Sequence, residues 1–124
     1  MGEDVYIVPT ILTDNPQVFL TQLNAYQQFA KRIQVDLMDG TFTSTRSLPE
    51  SAIAQLPPKV AIDIHLMTAK PSDHLQQILR LKPSLCILHA ESNENLLPFF
   101  AEFKKAGIKS GVALLRGWDR KSVV

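Results

Sequence analysis

Five short runs of β-branched and apolar residues recur along this 124-residue chain, each followed or preceded by a segment with helical apolar spacing. The repeat is roughly 30 residues, the length of a strand-helix-strand unit. Strands that are apolar on both sides and separated by amphipathic helices call for a parallel sheet with helices packed against it. The fold class read from this pattern is therefore α/β, with the ligand-facing positions at the C-terminal ends of the strands. A composition of 45% hydrophobic and 20% charged residues, with neither a linker nor a low-complexity stretch, assigns 1–124 to one globular domain rather than a disordered chain.

In chain order, residues 5–12 (Val-Tyr-Ile-Val-Pro-Thr-Ile-Leu) form the first strand, and Pro9 within it places that strand at an edge or a bend. Thr13-Asp14-Asn15-Pro16 offers capping side chains for a helix ending near Ala30. Arg32–Met38 is the second strand, closed by the Asp39-Gly40 turn pair, and a hydroxyl-rich loop over 41–48 leads to a short helix over 49–56, stopped by Pro57-Pro58. The third strand spans 60–67. Pro71-Ser72-Asp73 opens a helix with Leu75, Ile78, Leu79 and Leu81 on one face, ended by Pro83. Leu85–His89 is the fourth strand, a helix covers 93–106 with Gly107 at its C-terminus, and 109–115 is the fifth strand.

Charge and cysteine content narrow the function classes. Thirteen Lys and Arg against 12 Asp and Glu leave a net charge of +1, with no basic field for a phosphate backbone, so nucleic acid is not an expected partner. The single cysteine, Cys86, lies in an apolar run and reads as a small buried hydrophobe; it permits no internal disulfide and fits a cytoplasmic location. No apolar stretch reaches the ~18 residues of a membrane span, so no membrane association is expected. Met1-Gly2 opens like a myristoylation site, but Tyr6 occupies the Ser or Thr position.

Three strand ends carry polar residues. Asp36 on the second strand reads as a metal ligand or general base, or else as a carboxylate paired with a loop donor. His65 holds the corresponding place on the third strand, and His89 ends the fourth in His89-Ala90-Glu91. Asp63 shares the facing of His65 and is placed to orient its ring, while Met38 and Met67 each follow their polar partner by two residues. His74, among Ser72, Asp73, Gln76 and Gln77, reads as part of a solvated helix face. No Gly-rich phosphate loop is present, and one cysteine excludes a cysteine-based zinc site.

Taken together, Val35-Asp36-Leu37-Met38-Asp39-Gly40, Asp63-Ile64-His65-Leu66-Met67, His89-Ala90-Glu91 and Gly107-Ile108-Lys109-Ser110-Gly111-Val112-Ala113-Leu114 resemble the ribulose-phosphate 3-epimerase family. The resemblance runs from about residue 9 to residue 115. It implies a ribulose-phosphate-binding (β/α)8 TIM barrel and an isomerase that epimerises C3 of a ketopentose phosphate with metal assistance, in the carbohydrate metabolism of the pentose phosphate pathway. By carry-over, a divalent cation, zinc or iron, is held by Asp36 and His65; Asp36 also acts as a catalytic acid/base residue. Thr10 takes the place of a serine that touches substrate, and Met38 and Met67 line the pocket with His65. Gln34 stands where the family has a histidine ligand, and a neutral amide is the weaker donor.

A complete barrel of this class takes ~200 residues or more. The chain is thus expected to hold about the first four βα units plus the fifth strand, a partial barrel, and to be weakly active or inactive alone, because the second catalytic aspartate and the phosphate-binding loops belong to the C-terminal half. After the fifth strand, Leu115-Arg116-Gly117-Trp118-Asp119 replaces the family's Asn-Pro-Gly stretch. Unpaired first and fifth strands predict a homo-oligomer or association with the missing C-terminal half. The alternatives are a non-catalytic binding or assembly module built on the barrel, or another phosphate-binding barrel enzyme.

Overall fold

A computed structural model describes residues 7–56 and 58–114. The parts of the expected elements at Val5, Tyr6, Pro57 and 115–119, and the Met1-Gly2 opening, lie outside the described residues. Among the described residues, five strands form one parallel sheet in sequence order: β1 (Thr10–Ile11), β2 (Arg32–Met38), β3 (Ala61–Met67), β4 (Leu85–His89) and β5 (Lys109–Ala113). Between them lie α1 (Pro16–Tyr26), α2 (Glu50–Ala54), α3 (Leu75–Leu81) and α4 (Leu97–Lys105). The α/β class and the parallel, helix-alternating order expected from the sequence are those of a (β/α) barrel.

Alternation decides which face is which. Ile33, Val35 and Leu37 of β2, Ile62, Ile64 and Leu66 of β3, and Cys86 and Leu88 of β4 are buried, and they share one core with Phe19, Leu23, Ile53, Ile78, Phe99 and Phe103 from the helices. The other face carries Gln34, Asp36, Met38, His65 and Met67, all half-buried, and it is uncovered by helices. Cys86 is fully buried, as expected of a small hydrophobe.

Several boundaries differ from the sequence reading, each for a local reason. Strand β1 is two residues long; its pairing starts where the Pro9 carbonyl accepts from the Gln34 N–H at 2.9 Å, and proline has no N–H to extend a ladder. It lies at the sheet edge, as Pro9 suggested. Asn15 caps α1 by accepting from the N–H groups of Gln17 and Val18, but the helix stops at Tyr26 and Phe29 is left exposed. Pro71–Asp73 forms a 3-10 turn before α3. Helix α4 begins at Leu97 rather than 93, because Pro98 suits the first helical turn and Asn95 accepts from the Leu97 N–H. Gly107, at φ +78°, ends it in the left-handed conformation that a side chain resists. Val112, in register with buried Leu88, is exposed on β5.

Candidate functional site

The open face of the sheet gathers the polar strand-end residues into one hydrogen-bonded row. Register pairs Thr10 with Gln34, Asp36 with His65, and Met38 with Met67. Ile87 pairs with His65, so His89, two residues on, points to the same face. Gln34 Nε2 donates to Asp36 Oδ1 at 2.9 Å, and Asp36 Oδ1 lies 3.3 Å from His65 Nδ1. The two imidazoles lie within 16° of parallel with centroids 4.8 Å apart, their Nε2 atoms meet edge to edge at 2.7 Å, and His89 Nδ1 is 3.3 Å from Glu91 Oε1. The structure thus unites Asp36, His65 and His89, with Met38 and Met67 side by side beyond Asp36 and Thr10 exposed beside Gln34.

Hydrogen-bond counting assigns the protons. An Nε2 to Nε2 contact needs one ring to donate and the other to accept, while both Nδ1 atoms face carboxylates. The row is satisfied when the two rings share three N–H protons, one net positive charge between two carboxylates. Burial, with the nearby His65 charge, holds His89 below its ordinary pKa although Glu91 pulls the other way. His89 is therefore assigned as the ring that accepts at Nε2 and donates from Nδ1 to Glu91.

Two sequence readings change. Asp63 does not orient His65: it accepts from Arg32 Nε at 2.8 Å, near the opposite end of the strands, and Asp36 is the carboxylate beside the ring. Nor is His74 on a solvated face. Its Nδ1 meets Glu50 Oε1 and its Nε2 lies 2.7 Å from Asp39 Oδ2, with the side chain 15% exposed. The Glu50 hydrogen bond, helped by Asp39 against the cost of burial, raises His74 to about 9, so it is an imidazolium at neutral pH. Asp39 also accepts from Thr41 N–H at 3.0 Å, Thr41 Oγ1 at 2.6 Å and Thr68 Oγ1 at 2.6 Å. Burial opposes the charge on Asp39, but these donors prevail and hold its carboxyl well below the usual range. Asp39, Glu50, Thr41, Thr68 and Phe42 were not singled out from the sequence; only the Asp39-Gly40 turn marked this corner.

Asp36 and His65 are adjacent, but among the described residues no group of three or more His, Cys, Asp or Glu side chains is placed to hold a metal ion. Gln34 adds only a neutral amide, already donating to Asp36. These residues do not by themselves fit a tightly held zinc or iron.

A parallel sheet, helices on one face, and acid/base side chains converging at the C-terminal strand ends define a barrel-type α/β protein with an enzyme-like polar mouth. The profile of the Ribulose-phosphate 3 epimerase family matches residues 6–118, and the chain belongs to that family. Ribulose-phosphate 3-epimerase of Rhodobacter capsulatus is 25% identical over 122 residues, covering 96% of this chain and 54% of that protein. The Chlamydia trachomatis enzyme of the same name is 23% identical over 114 residues (90% and 49%). The cytoplasmic isoform of Oryza sativa subsp. japonica is 30% identical over 88 residues (68% and 39%). The chain spans about half the length of the curated relatives it matches. Among the described residues, no helix is long and apolar enough to cross a membrane.

Proposed function

We propose that the chain carries the first βα units of an epimerase-type barrel, a single partial domain over 1–124, in which Asp36 carries the proton transfer on one side of C3 of a ketopentose phosphate. The observation that supports this most is the Asp36–His65–His89 row on the open face of the sheet. Removing a proton next to a carbonyl leaves its electron pair as an enediolate, so the step needs a carboxylate base and N–H donors close together. Asp36 supplies the base, held at Oδ1 by Gln34 and His65, while the ring protons are used within the row, so the N–H donors for the enediolate would come from the completed barrel. The neighbouring carboxylates are committed elsewhere, Asp63 to Arg32, Glu91 to His89, and Asp39, past the end of β2, to Thr41, Thr68 and His74. Thr10, Met38, His65 and Met67 are assigned to contact substrate.

Epimerisation requires return of the proton to the opposite side of C3, which takes a second acid. That acid, and the further donors a zinc or iron ion needs, would come from the C-terminal half of the barrel or from a second copy completing the sheet, and no step here depends on the metal. A cytoplasmic setting in pentose phosphate metabolism is part of the same reading. The test is a titration with ribulose 5-phosphate, with and without divalent cation, following the Met38 and Met67 methyl signals and conversion to the C3 epimer. Shifts at both methyls, with little or no net epimerisation by the chain alone, are expected. A folded chain showing no shift at either methyl, with or without the cation, would overturn the assignment.

The Gln34 to Asp36 hydrogen bond favours a second reading, a non-catalytic member of the family kept as a binding or assembly module. Stoichiometric zinc or iron retained by the protein and lost in His65→Ala would argue against it.

A further inference from the structure

The loop after β2 crosses the open face and reaches strand β4. Phe42 lies against His89 with ring centroids 4.9 Å apart, so it covers one side of the imidazole pair. Nothing in the loop's own composition fixes this: Gly40, at φ +82°, starts it and it is rich in hydroxyls. The fixing contacts sit at its base. Thr41 Oγ1 accepts from the Ala69 N–H at 3.0 Å and meets Thr68 Oγ1 at 3.2 Å, and Asp39 binds both threonines. His74 is the cation at the centre, tied to Asp39 at the loop's start and to Glu50 on α2 beyond the loop's end.

We propose that His74 is a positioning residue for the open-face site: clamped between Asp39 and Glu50, it anchors both ends of the loop so that Phe42 is held against His89. The proposal rests on the Asp36–His65–His89 reading for its functional meaning, but its geometry is separable. An imidazolium donating from both nitrogens can bridge two carboxylates, whereas a neutral ring has one N–H and must release one of them. Losing the proton therefore loosens one end of the loop. The charged and titratable groups facing His74 are Glu50 from α2, Asp39 just past the end of β2, and Arg46 from the loop, which lines one cavity with His74 and both carboxylates. Cys86 on β4 lies near Glu50, and burial pushes its thiol up to about 12, so it stays neutral while His74 titrates.

The experiment compares the full chain with His74→Gln by nuclear Overhauser contacts between the Phe42 and His89 rings and by hydrogen exchange of the Ala69 amide. In the variant the ring contact disappears and Ala69 exchanges at least ~10-fold faster, while the β3 and β4 ladder amides keep their protection. Raising the pH of the unmodified protein through 9 reversibly removes the ring contact and lowers the Ala69 protection factor, its exchange rate taken relative to the base-catalysed rate of an open amide, which a residue acting only by packing would not do. If His74→Gln fails to fold, this pH series alone decides. Retention of the ring contact and of Ala69 protection in a folded variant, or at pH 10 in the unmodified protein, overturns the proposal. Neither readout involves turnover, so failure of the epimerase reading leaves both unchanged and is distinguishable from failure of the clamp.

Discussion

Stability should fall as the pH rises from 6.5 to 9, and His74 is the reason. Its side chain is 15% exposed and pairs with Glu50 and Asp39, which lifts it from an ordinary 6.5 to about 9. A group whose pKa is higher in the folded state contributes fully below its unfolded value and loses that contribution as the pH passes its folded value. At ~1.4 kcal/mol per pH unit, the interval from 6.5 to about 9 sets a ceiling of about 3.5 kcal/mol, and partial solvent access reduces the expected loss to about 2–3 kcal/mol. That is a large share of the ~5–15 kcal/mol a small domain possesses. Asp39 has the opposite sign: its contribution is present above its ordinary 3.8 and is lost only as the pH falls below that. His89, held low, makes stability rise with pH near 6.5 and partly masks the trend, so the comparison must be with His74→Gln. Urea unfolding followed by far-ultraviolet circular dichroism at pH 6, 7.5 and 9.5 gives the profile. The unmodified chain should lose most of its advantage over His74→Gln by pH 9.5. An advantage that is the same at all three pH values would refute the linkage.

Two further outcomes follow from the core. Phe103 of α4 is 1% exposed, and Phe103→Ala should cost about 3–5 kcal/mol, read as a lower urea midpoint with the sheet topology kept. Cys86 is fully buried, with its thiol pushed up to about 12, so an aromatic disulfide reagent should modify it only at the rate of unfolding; fast modification under native conditions would contradict its placement.

How much of this was visible in the chain depends on how local the cause is. Strands β2, β3 and β4 were legible to within a residue because each alternates core and open-face side chains over five or seven residues. The same alternation put Asp36, His65 and His89 on one face, since the parallel register aligns them. Helix ends were less legible: Phe29 continues the helical spacing of α1 but points to solvent, and Leu97 does so at the start of α4. His74 was misread because its two partners lie 24 and 35 residues away in the sequence, so no local pattern reports them. Asp63 was misread for a related reason, since facing alone does not say that Arg32, 31 residues earlier, reaches it first.

Asp36 is proposed here as the base of a proton-transfer site. The direct measurement is incorporation of solvent deuterium at C3 of ribulose 5-phosphate, followed by proton NMR for the unmodified chain and for Asp36→Asn. One carboxylate beside the imidazole pair predicts slow exchange at C3 without a matching yield of the epimer, and its loss in Asp36→Asn. Exchange at the same rate in the folded Asp36→Asn chain, or none above the buffer rate in the unmodified chain, would contradict the account.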